Sequence, residues 1–292
     1  MARTISIVGA GRVGTTLGKR LRQLGWRIGA VVTRSGRTAR AAVRTIGAGK
    51  PNWSIGPEVF AADLVLVCTP DDAMPAAVRS IAKLGGRDWG GKVVLHTSGA
   101  LDRGVLDPLA RLGGETGSLH PMQTFSGRNV PSLDGVTFAV EGNGKALRVA
   151  KQIARSLGGV PVAIAGADKP VYHATAVLAA GSAFPLIEAA VRMLEKIGFS
   201  RRRALETLLP LARQMLDNVE RLGPRAAWTG PLSRGDFAVV AKHLRALRRY
   251  PREFRQAYVA TALLAARVLA KNPQAALRDL RRVLKNSEGD NR

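Results

Sequence analysis

Two histidines of this chain, His96 and His120, each end a short apolar run, the position from which a side chain of a strand can reach a ligand. An imidazole near its ordinary pKa can give and regain a proton at neutral pH. Ser98 follows two residues after His96 and adds a hydroxyl, while Pro121 keeps His120 extended. We therefore predict that His120 and Ser98 belong to a catalytic site and that His96 contacts substrate. The alternative is that both histidines are structural residues with satisfied hydrogen bonds.

A glycine-rich turn lies close to the start of the chain, where Thr4–Val8 predicts a strand and Leu17, Leu21 and Leu24 have helical spacing. Between them stands the motif Gly9-Ala-Gly11-Arg12-Val13-Gly14. In a dinucleotide-binding turn the first glycine permits the tight bend, the second permits approach of a pyrophosphate, and the third permits close helix packing. The motif predicts a dinucleotide site that includes Arg12 and Val13.

The segment after the second predicted strand indicates which dinucleotide is bound. An NAD site usually has an acidic residue there for the ribose 2′-hydroxyl. This chain has Thr33-Arg34-Ser35-Gly-Arg37, in which two guanidinium groups can hold a 2′-phosphate and two hydroxyls can assist. NADP is the predicted cofactor, and Thr69-Pro70 is predicted to turn beside it. The alternative is that Arg34 and Arg37 reflect only the general arginine excess.

The pattern of elements predicts an α/β fold, a Rossmann-type mostly parallel sheet followed by an all-helical domain. We place the boundary between residues 1–166, which are predicted to bind NADP, and the helical residues 167–292. The predicted strands are Thr4–Val8, Ile28–Val32, Asp63–Thr69, Lys92–His96, Gly117–His120, Val136–Val140 and Val160–Ile164. The predicted helices of the second domain cover residues 169–197, 201–221, 233–248, 251–271 and 274–285, the last with Asn272 as its N-cap.

Composition limits the classes of protein that fit. The 292 residues are 46% hydrophobic and carry a net charge of +24, with 5% aromatic residues and one cysteine. Few aromatics and no recognition motif argue against a nucleic-acid partner, although a basic surface would attract anionic ligands. Tyr172–Val191 lacks Lys and Arg, but five polar or proline residues interrupt it, which predicts a buried core helix and no membrane span. We predict a cytoplasmic protein without a metal site, because the histidines lack ligand spacing and the one cysteine forms no cluster.

Several motifs in order resemble a known family. They are "GAGRVG", "VTRSGR", "TPDDAM", "LHTSGAL", "LHPMQTF", "KPVYHATAV" and "TGPLSRGD" followed by "KHL". The N-terminal half resembles the 6-phosphogluconate-dehydrogenase-like superfamily, which includes pyrroline-5-carboxylate and ketopantoate reductases. The whole chain resembles Rossmann-like proteins whose C-terminal half is domain of unknown function 2520. Members are described as NADP-type oxidoreductases of undefined substrate, and the resemblance implies a helical domain for substrate binding and dimerisation.

The resemblance carries Lys169, Tyr172 and His173 into the predicted site. Lys169 and His173 are four residues apart on one helix face, and either can protonate a developing alkoxide. We favour His173, because an imidazole in so apolar a helix needs a partner. Lys169 is the rival donor, or a surface lysine. Ser182 stands near the place where related β-hydroxyacid dehydrogenases hold substrate with an asparagine, so we assign it, with Tyr172, to substrate binding.

A second set of matching residues follows further along the chain. Arg234 is predicted to bind a substrate carboxylate, or else to pair with Asp236, which is also a possible helix cap. His243 is predicted to be structural. The matching residues are Thr229, Gly230, Pro231, Arg234, Asp236 and His243.

Three functions remain open. The preferred one is an NADP-dependent oxidoreductase that reduces a small carbonyl or imine acid, such as a ketopantoate-like compound, by hydride transfer. The second is a non-catalytic nucleotide-binding or sensing protein, since fold alone does not give function. The third is a polyanion or nucleic-acid binder. A homodimer is expected, because residues 172–197 and 255–270 are apolar over more than one helix face.

Overall fold

The computed structural model describes residues 3–84, 88–126 and 130–289. The chain folds as two compact units, Met1–Leu178 and Ala179–Arg292. The sequence predicted a boundary near residue 166. The first unit extends further because the helix that begins at Lys169 packs on the sheet through that buried lysine.

The first unit contains one eight-stranded sheet. The strands are Thr4–Val8 (β1), Arg27–Val32 (β2), Lys50–Asn52 (β3), Leu64–Val67 (β4), Val93–His96 (β5), Glu115–Pro121 (β6), Thr137–Gly142 (β7) and Val160–Ala163 (β8). Their order across the sheet is β3-β2-β1-β4-β5-β6-β7-β8. Pairing is parallel except between β6 and β7, which are antiparallel. The short edge strand β3 has no counterpart among the predicted strands, because Lys50-Pro51-Asn52 lacks an apolar run.

Helices cover both faces of this sheet, as expected for strands that are apolar on both sides. On one face, Ile5 and Ile7 pack with Leu17 of the first helix and with residues of the helix that precedes β8. On the other face, Val8 packs with Met74 and its neighbours. The helices are Arg12–Gln23 (α1), Gly36–Ile46 (α2), Pro57–Phe60 (α3), Met74–Ala82 (α4), Asp107–Ala110 (α5), Gly144–Ser156 (α6) and Lys169–Ala176 (α7), and 3₁₀ turns occupy Arg103–Leu106 and Gly166–Asp168.

The described residues of the second unit form helices and the turns that connect them. Its core is formed by three helices that contribute residues such as Val240, Ala266 and Leu280. A π-helical turn, Val177–Gly181, connects α7 to the first helix of this unit. The helices are Ala183–Lys196 (α8), Arg201–Leu222 (α9), Pro224–Ala227 (α10), Pro231–Arg234 (α11), Phe237–Ala246 (α12), Arg252–Val268 (α13) and Pro273–Gly289 (α14), with a 3₁₀ turn at Leu247–Arg249.

Three helices predicted from the sequence, 201–221, 251–271 and 274–285, are confirmed as α9, α13 and α14. Asn272 caps α14, because its side-chain oxygen accepts the N–H of Ala275 at 3.1 Å. The predicted helix 233–248 is divided, because Gly235 adopts a left-handed conformation with φ of +76° and ends α11. The fold class predicted from the sequence, a mostly parallel sheet followed by helices, is confirmed.

The apolar segment around Tyr172–Val191 differs from expectation. It lies in a continuous helical run, residues 166–196, whose length and hydropathy fit a membrane-spanning helix. Only 6% of its most apolar window is buried, so within one chain it is not the buried core helix that was predicted. It is the only such run within the described part of the chain, and a single run of this kind is weak evidence for a membrane span.

Candidate active site

The glycine-rich turn places the end of β1 directly against the end of β4. Gly9 has a φ of +86°, and a Cβ at this position would lie 2.5 Å from the amide nitrogen of Thr69. A Cβ at Gly14 would lie 3.0 Å from the carbonyl oxygen of Gly9 and 3.1 Å from Ile7. Both glycines are therefore required by the protein's own packing.

Gly11 has a different explanation. A Cβ at Gly11 would meet protein only at 4.0 Å, so packing within the chain does not require a glycine there. The buried hydroxyl of Thr69, in the adjacent loop, has no hydrogen-bond partner among the described residues. Gly11 is the N-cap of α1, and no described side chain caps that helix. An open approach, an unpaired hydroxyl and uncapped amides are the features that a bound pyrophosphate would use.

The end of β2 has the hydroxyl and guanidinium groups predicted for a 2′-phosphate site. Arg34 and Arg37 are exposed on either side of the start of α2. The hydroxyls of Thr33 and Ser35 lie 2.6 and 2.8 Å from that of Thr38, and Ser35 Oγ accepts the N–H of Thr38 as an N-cap. These hydroxyls thus organise the first turn of α2, and the exposed guanidinium groups of Arg34 and Arg37 are available to a phosphate.

Sheet register places three polar residues in one row across β5, β6 and β7. His96 is paired with Ser118, and Ser118 is paired with Glu141. Neighbours in register project to the same side of a sheet. His96 and Ser118 are buried, and the Glu141 side chain is 13% exposed.

Lys169 of α7 reaches this row. Its ammonium donates to Ser118 Oγ at 2.8 Å and lies 3.8 Å from Glu141 Oε2. Burial lowers the pKa of Lys169 to about 8, against the attraction of Glu141. The side chain is only 1% exposed, so the alternative that Lys169 is a surface lysine is wrong.

His96 is fixed as a neutral ring. Nε2 donates to the carbonyl oxygen of Asp102 at 3.1 Å, and Nδ1 accepts the N–H of Ser98 at 3.2 Å. Burial, followed by the charge of Lys169, lowers the pKa of His96 to about 3. His96 has no exposed surface, and both of its ring nitrogens are hydrogen-bonded to the loop after β5. This geometry favours a structural role, and substrate contact by His96 stays a prediction.

Ser98 is engaged in the same way. Its hydroxyl donates to Asp71 Oδ2 at 2.9 Å and accepts the N–H groups of Ala100 and Leu101 at 3.1 and 2.9 Å. The side chain therefore holds the turn after β5 to the loop after β4. These hydrogen bonds explain Ser98 as a structural residue of the turn. A catalytic role for Ser98 stays a prediction.

Three further side chains of the candidate site, those of His120, Tyr172 and His173, are half-buried and therefore partly accessible to solvent. The Tyr172 hydroxyl lies 3.1 Å from His120 Nδ1, and the rings of His120 and His173 are 5.9 Å apart between centroids. Burial, then the charges of His173 and Lys169, lowers the pKa of His120 to about 4. The predicted site residues of β6 and α7 are thus brought together.

Gly99 makes this arrangement possible. A Cβ at Gly99 would lie 2.6 Å from His173 Cδ2 and 2.7 Å from His120 Nε2. Any side chain at position 99 would therefore displace one of the two imidazoles.

The remaining predicted residues belong to the second unit. Ser182 is the half-buried N-cap residue of α8. Arg234 pairs with Asp236 at 3.0 Å, as the alternative prediction had it, and Asp236 stands at the N-cap of α12 without a hydrogen bond from its side chain to the helix among the described residues. His243 Nδ1 lies 2.9 Å from the Tyr258 hydroxyl, consistent with a structural role. No described group of three or more His, Cys, Asp or Glu residues could hold a metal ion.

Four residues of the site were missed by sequence reasoning: Asp71, Ser118, Glu141 and Thr38. Asp71 stands inside the motif "TPDDAM" and Ser118 inside the predicted strand Gly117–His120, so both positions were an available signal. Glu141 could be found only from the antiparallel register of β6 and β7.

Comparison with known families agrees with this architecture. Residues 2–121 match the Rossmann-like domain, and residues 136–265 match the domain of unknown function 2520. The chain therefore combines these two domains, which confirms the resemblance found in its motifs. No curated protein sequence matches the chain.

Several solved structures share the fold. A candidate NADP oxidoreductase from Bacteroides fragilis is 24% identical with a TM-score of 0.74, over 89% of this chain and 96% of that one. A reductive aminase from Aspergillus terreus, solved with NADPH and ethyl-5-oxohexanoate, is 16% identical with a TM-score of 0.68, over 95% and 99%. Pyrroline carboxylate reductase from Plasmodium falciparum, with NADP bound, is 13% identical with a TM-score of 0.59, over 98% of each chain. At these identities the comparison shows a shared fold.

Proposed function

We propose that the protein is an NADP-dependent oxidoreductase that reduces a small carbonyl or imine acid. The observation that carries the proposal is the placement of His120, Tyr172 and His173 at the end of a sheet whose first turn is built for a dinucleotide. In open α/β sheets, ligands bind outside the carboxyl ends of the strands. The structural relatives solved with NADP or NADPH support the same assignment.

Residues of the first unit would hold the cofactor along the sheet. Gly11 and the first turn of α1, including Arg12 and Val13, would receive the pyrophosphate, and the Thr69 hydroxyl would gain a partner. Arg34 and Arg37 would bind the 2′-phosphate. When bound, NADPH supplies the hydride.

Proton supply is assigned to His173. Lys169, the rival donor, is 1% exposed and its ammonium already donates to Ser118, whereas His173 is half-buried. A general acid must reach the atom that it protonates. His120, kept neutral and hydrogen-bonded to Tyr172, would orient the substrate.

The substrate is proposed to be anionic. Lys169 is paired with Glu141, and the whole chain carries a net charge of +24. Such a field attracts a carboxylate. Arg234 and Ser182 remain predicted substrate contacts.

The test is direct. Calorimetric titration with NADPH and NADH establishes whether the nucleotide binds. NADPH oxidation is then followed by absorbance against 2-oxo acids, including ketopantoate, and cyclic imine acids. Turnover of one class supports the proposal. Binding without turnover of any of them would favour a non-catalytic nucleotide-binding or sensing protein.

We also propose that the protein is a homodimer. The described helices of the second unit expose large apolar side chains, among them Phe184 at 74%, Leu211 at 68% and Leu216 at 62%. Monomeric proteins rarely leave such surface uncovered. A second copy would cover the apolar run without requiring a membrane, and a cytoplasmic location stays a prediction.

A further inference from the structure

The ammonium of Lys169 is a buried positive charge that needs a countercharge. Ser118, its nearest described partner at 2.8 Å, is neutral. Among the described residues, Glu141 is the carboxylate within ion-pair distance of this ammonium, at 3.8 Å. A buried charge that loses its partner is strongly disfavoured, so the protonation of Lys169 depends on Glu141.

The position of Glu141 is fixed from three sides. It is paired in register with Ser118 across β6 and β7. Its Oε2 accepts the backbone N–H of Arg103 at 2.9 Å. A Cβ at Gly166 would lie 2.8 Å from Oε1, so the turn before α7 comes close to the carboxylate without a side chain. Glu141 is therefore held towards Lys169 by backbone as well as by charge.

Other charged groups act on the same pair. Asp102 and Asp71 add to the attraction that Lys169 receives from Glu141. Burial raises the pKa of the Glu141 carboxyl. The attraction of Lys169 and the contact with Arg103 oppose that rise, and the charge of Asp102 adds to it. His96 and His120 both feel the charge of Lys169, which lowers the pKa of each imidazole in addition to the larger effect of burial.

We propose that Glu141 is a positioning residue, which keeps Lys169 charged and holds its ammonium against Ser118, so that one fixed positive charge lies beside His96 and His120. The kinetic consequence rests on the proposed reductase function, because a fixed positive charge stabilises negative charge that develops on a substrate oxygen.

The direction of the expected change follows from the charges. Burial lowers the pKa of Lys169 to about 8, and the attraction of Glu141 opposes that fall. Replacing Glu141 by Gln keeps the size of the side chain and removes the negative charge. The pKa of Lys169 should then fall further, by about 1–3 units, the range for loss of an opposite charge at 4–6 Å.

The first measurement does not need activity. The rings of His96 and His120 are neutral near pH 8, with pKa values of about 3 and about 4, so any shift of their Cε1–H signals at that pH reports a neighbour. We expect an inflection near pH 8 in NMR titration of the full chain. Lys169→Met should abolish it, and Glu141→Gln should move it about 1–3 units lower. Glu115→Gln, at the first residue of β6, is the matched control and should leave the inflection unchanged.

The second measurement is the pH dependence of kcat/KM. Its alkaline limb should follow the same titration, near pH 8 in the wild type and lower in Glu141→Gln, with NADPH affinity unchanged. A merely structural glutamate would lower the amount of folded protein without moving the limb.

Two results would overturn the inference: an inflection that Glu141→Gln leaves in place, or no inflection in the wild type. If Glu141→Gln fails to fold, Glu141→Asp should move the inflection to lower pH by a smaller amount, because its carboxylate retains the charge at a greater distance. An inflection that stays in place in Glu141→Asp would also contradict the role proposed for Glu141. Absence of NADPH oxidation in the wild type would instead overturn the proposed function, and the NMR result would stand.

Discussion

The backbone N–H of Ser98 donates to Nδ1 of His96 at 3.2 Å, which fixes the tautomer of a fully buried imidazole. The other nitrogen then carries the proton and donates to the carbonyl oxygen of Asp102. A proton can be added to His96 only by breaking the bond from Ser98. The ring is thus suited to holding the loop after β5, which carries Gly99, and unsuited to proton transfer.

This arrangement predicts a pH-dependent stability. The pKa of His96 is about 3 in the folded protein and about 6.5 when unfolded, so the unfolded chain binds the extra proton. The stabilisation is fully present above about pH 6.5 and is lost as pH falls towards 3. We expect His96→Gln to weaken the decline in the free energy of unfolding by about 1.4 kcal/mol per pH unit below pH 6. Urea unfolding at several pH values between 7 and 4 (roughly the window set by this linkage) measures both slopes, and parallel slopes would contradict the assignment.

Cofactor preference is predicted by the two arginines that follow β2. Charge-assisted hydrogen bonds to a 2′-phosphate are worth about 1.5–3 kcal/mol, so NADPH should bind more than about tenfold more tightly than NADH. Replacing Arg34 and Arg37 together by Ala should remove the preference. Arg44→Ala, on the exposed last turn of α2, is the control. Calorimetry measures both affinities. A preference for NADPH that survives the loss of both arginines would refute the assignment of Arg34 and Arg37 to the 2′-phosphate.

The proton donor is predicted to be His173. His173→Ala should lower turnover by about 10²–10⁴-fold, the usual contribution of a general acid, with NADPH affinity little changed. Steady-state kinetics and a binding isotherm test this together. If the folded variant keeps full activity, the assignment must pass to Lys169 or be abandoned. His243→Ala, in which a histidine paired with Tyr258 is removed, should leave turnover unaffected.

The contact between His120 and Tyr172 predicts a different kinetic signature. Tyr172→Phe leaves the ring in place but takes away the hydroxyl that lies 3.1 Å from His120. Loss of one neutral hydrogen bond, about 0.5–1.5 kcal/mol, should raise the Michaelis constant about 2–12-fold. His120→Ala should raise it as well and lower turnover moderately. A fall in turnover with an unchanged Michaelis constant would show that the pair acts in the chemical step instead.

Self-association is predicted from the apolar surface of the second unit. Leu211 and Leu216 of α9 are 68% and 62% exposed, and a charge at either position should weaken a dimer. Sedimentation of Leu216→Lys at micromolar concentration should show a monomer where the wild type is dimeric. Leu24→Lys, at an exposed position after α1, should not change the oligomeric state. A monomeric wild type would refute the prediction.

Much of the site could be predicted from local sequence, because the glycine turn and the strand-end residues are local signals. Gly9 and Gly14 were recognised as the tight bend and the close helix contact, and the structure has both features. The role of His120 stays a prediction. Glu141 was not, because its partner depends on the pairing of two antiparallel strands. The burial of Lys169 was also out of reach, since a lysine at the start of a helix is usually exposed.

The row His96–Ser118–Glu141 has a consequence for evolutionary change. A strand that slips by one residue turns every side chain to the opposite face. An insertion or deletion that shifts β7 by a single residue would therefore turn Glu141 away from Lys169 and leave the ammonium without its partner.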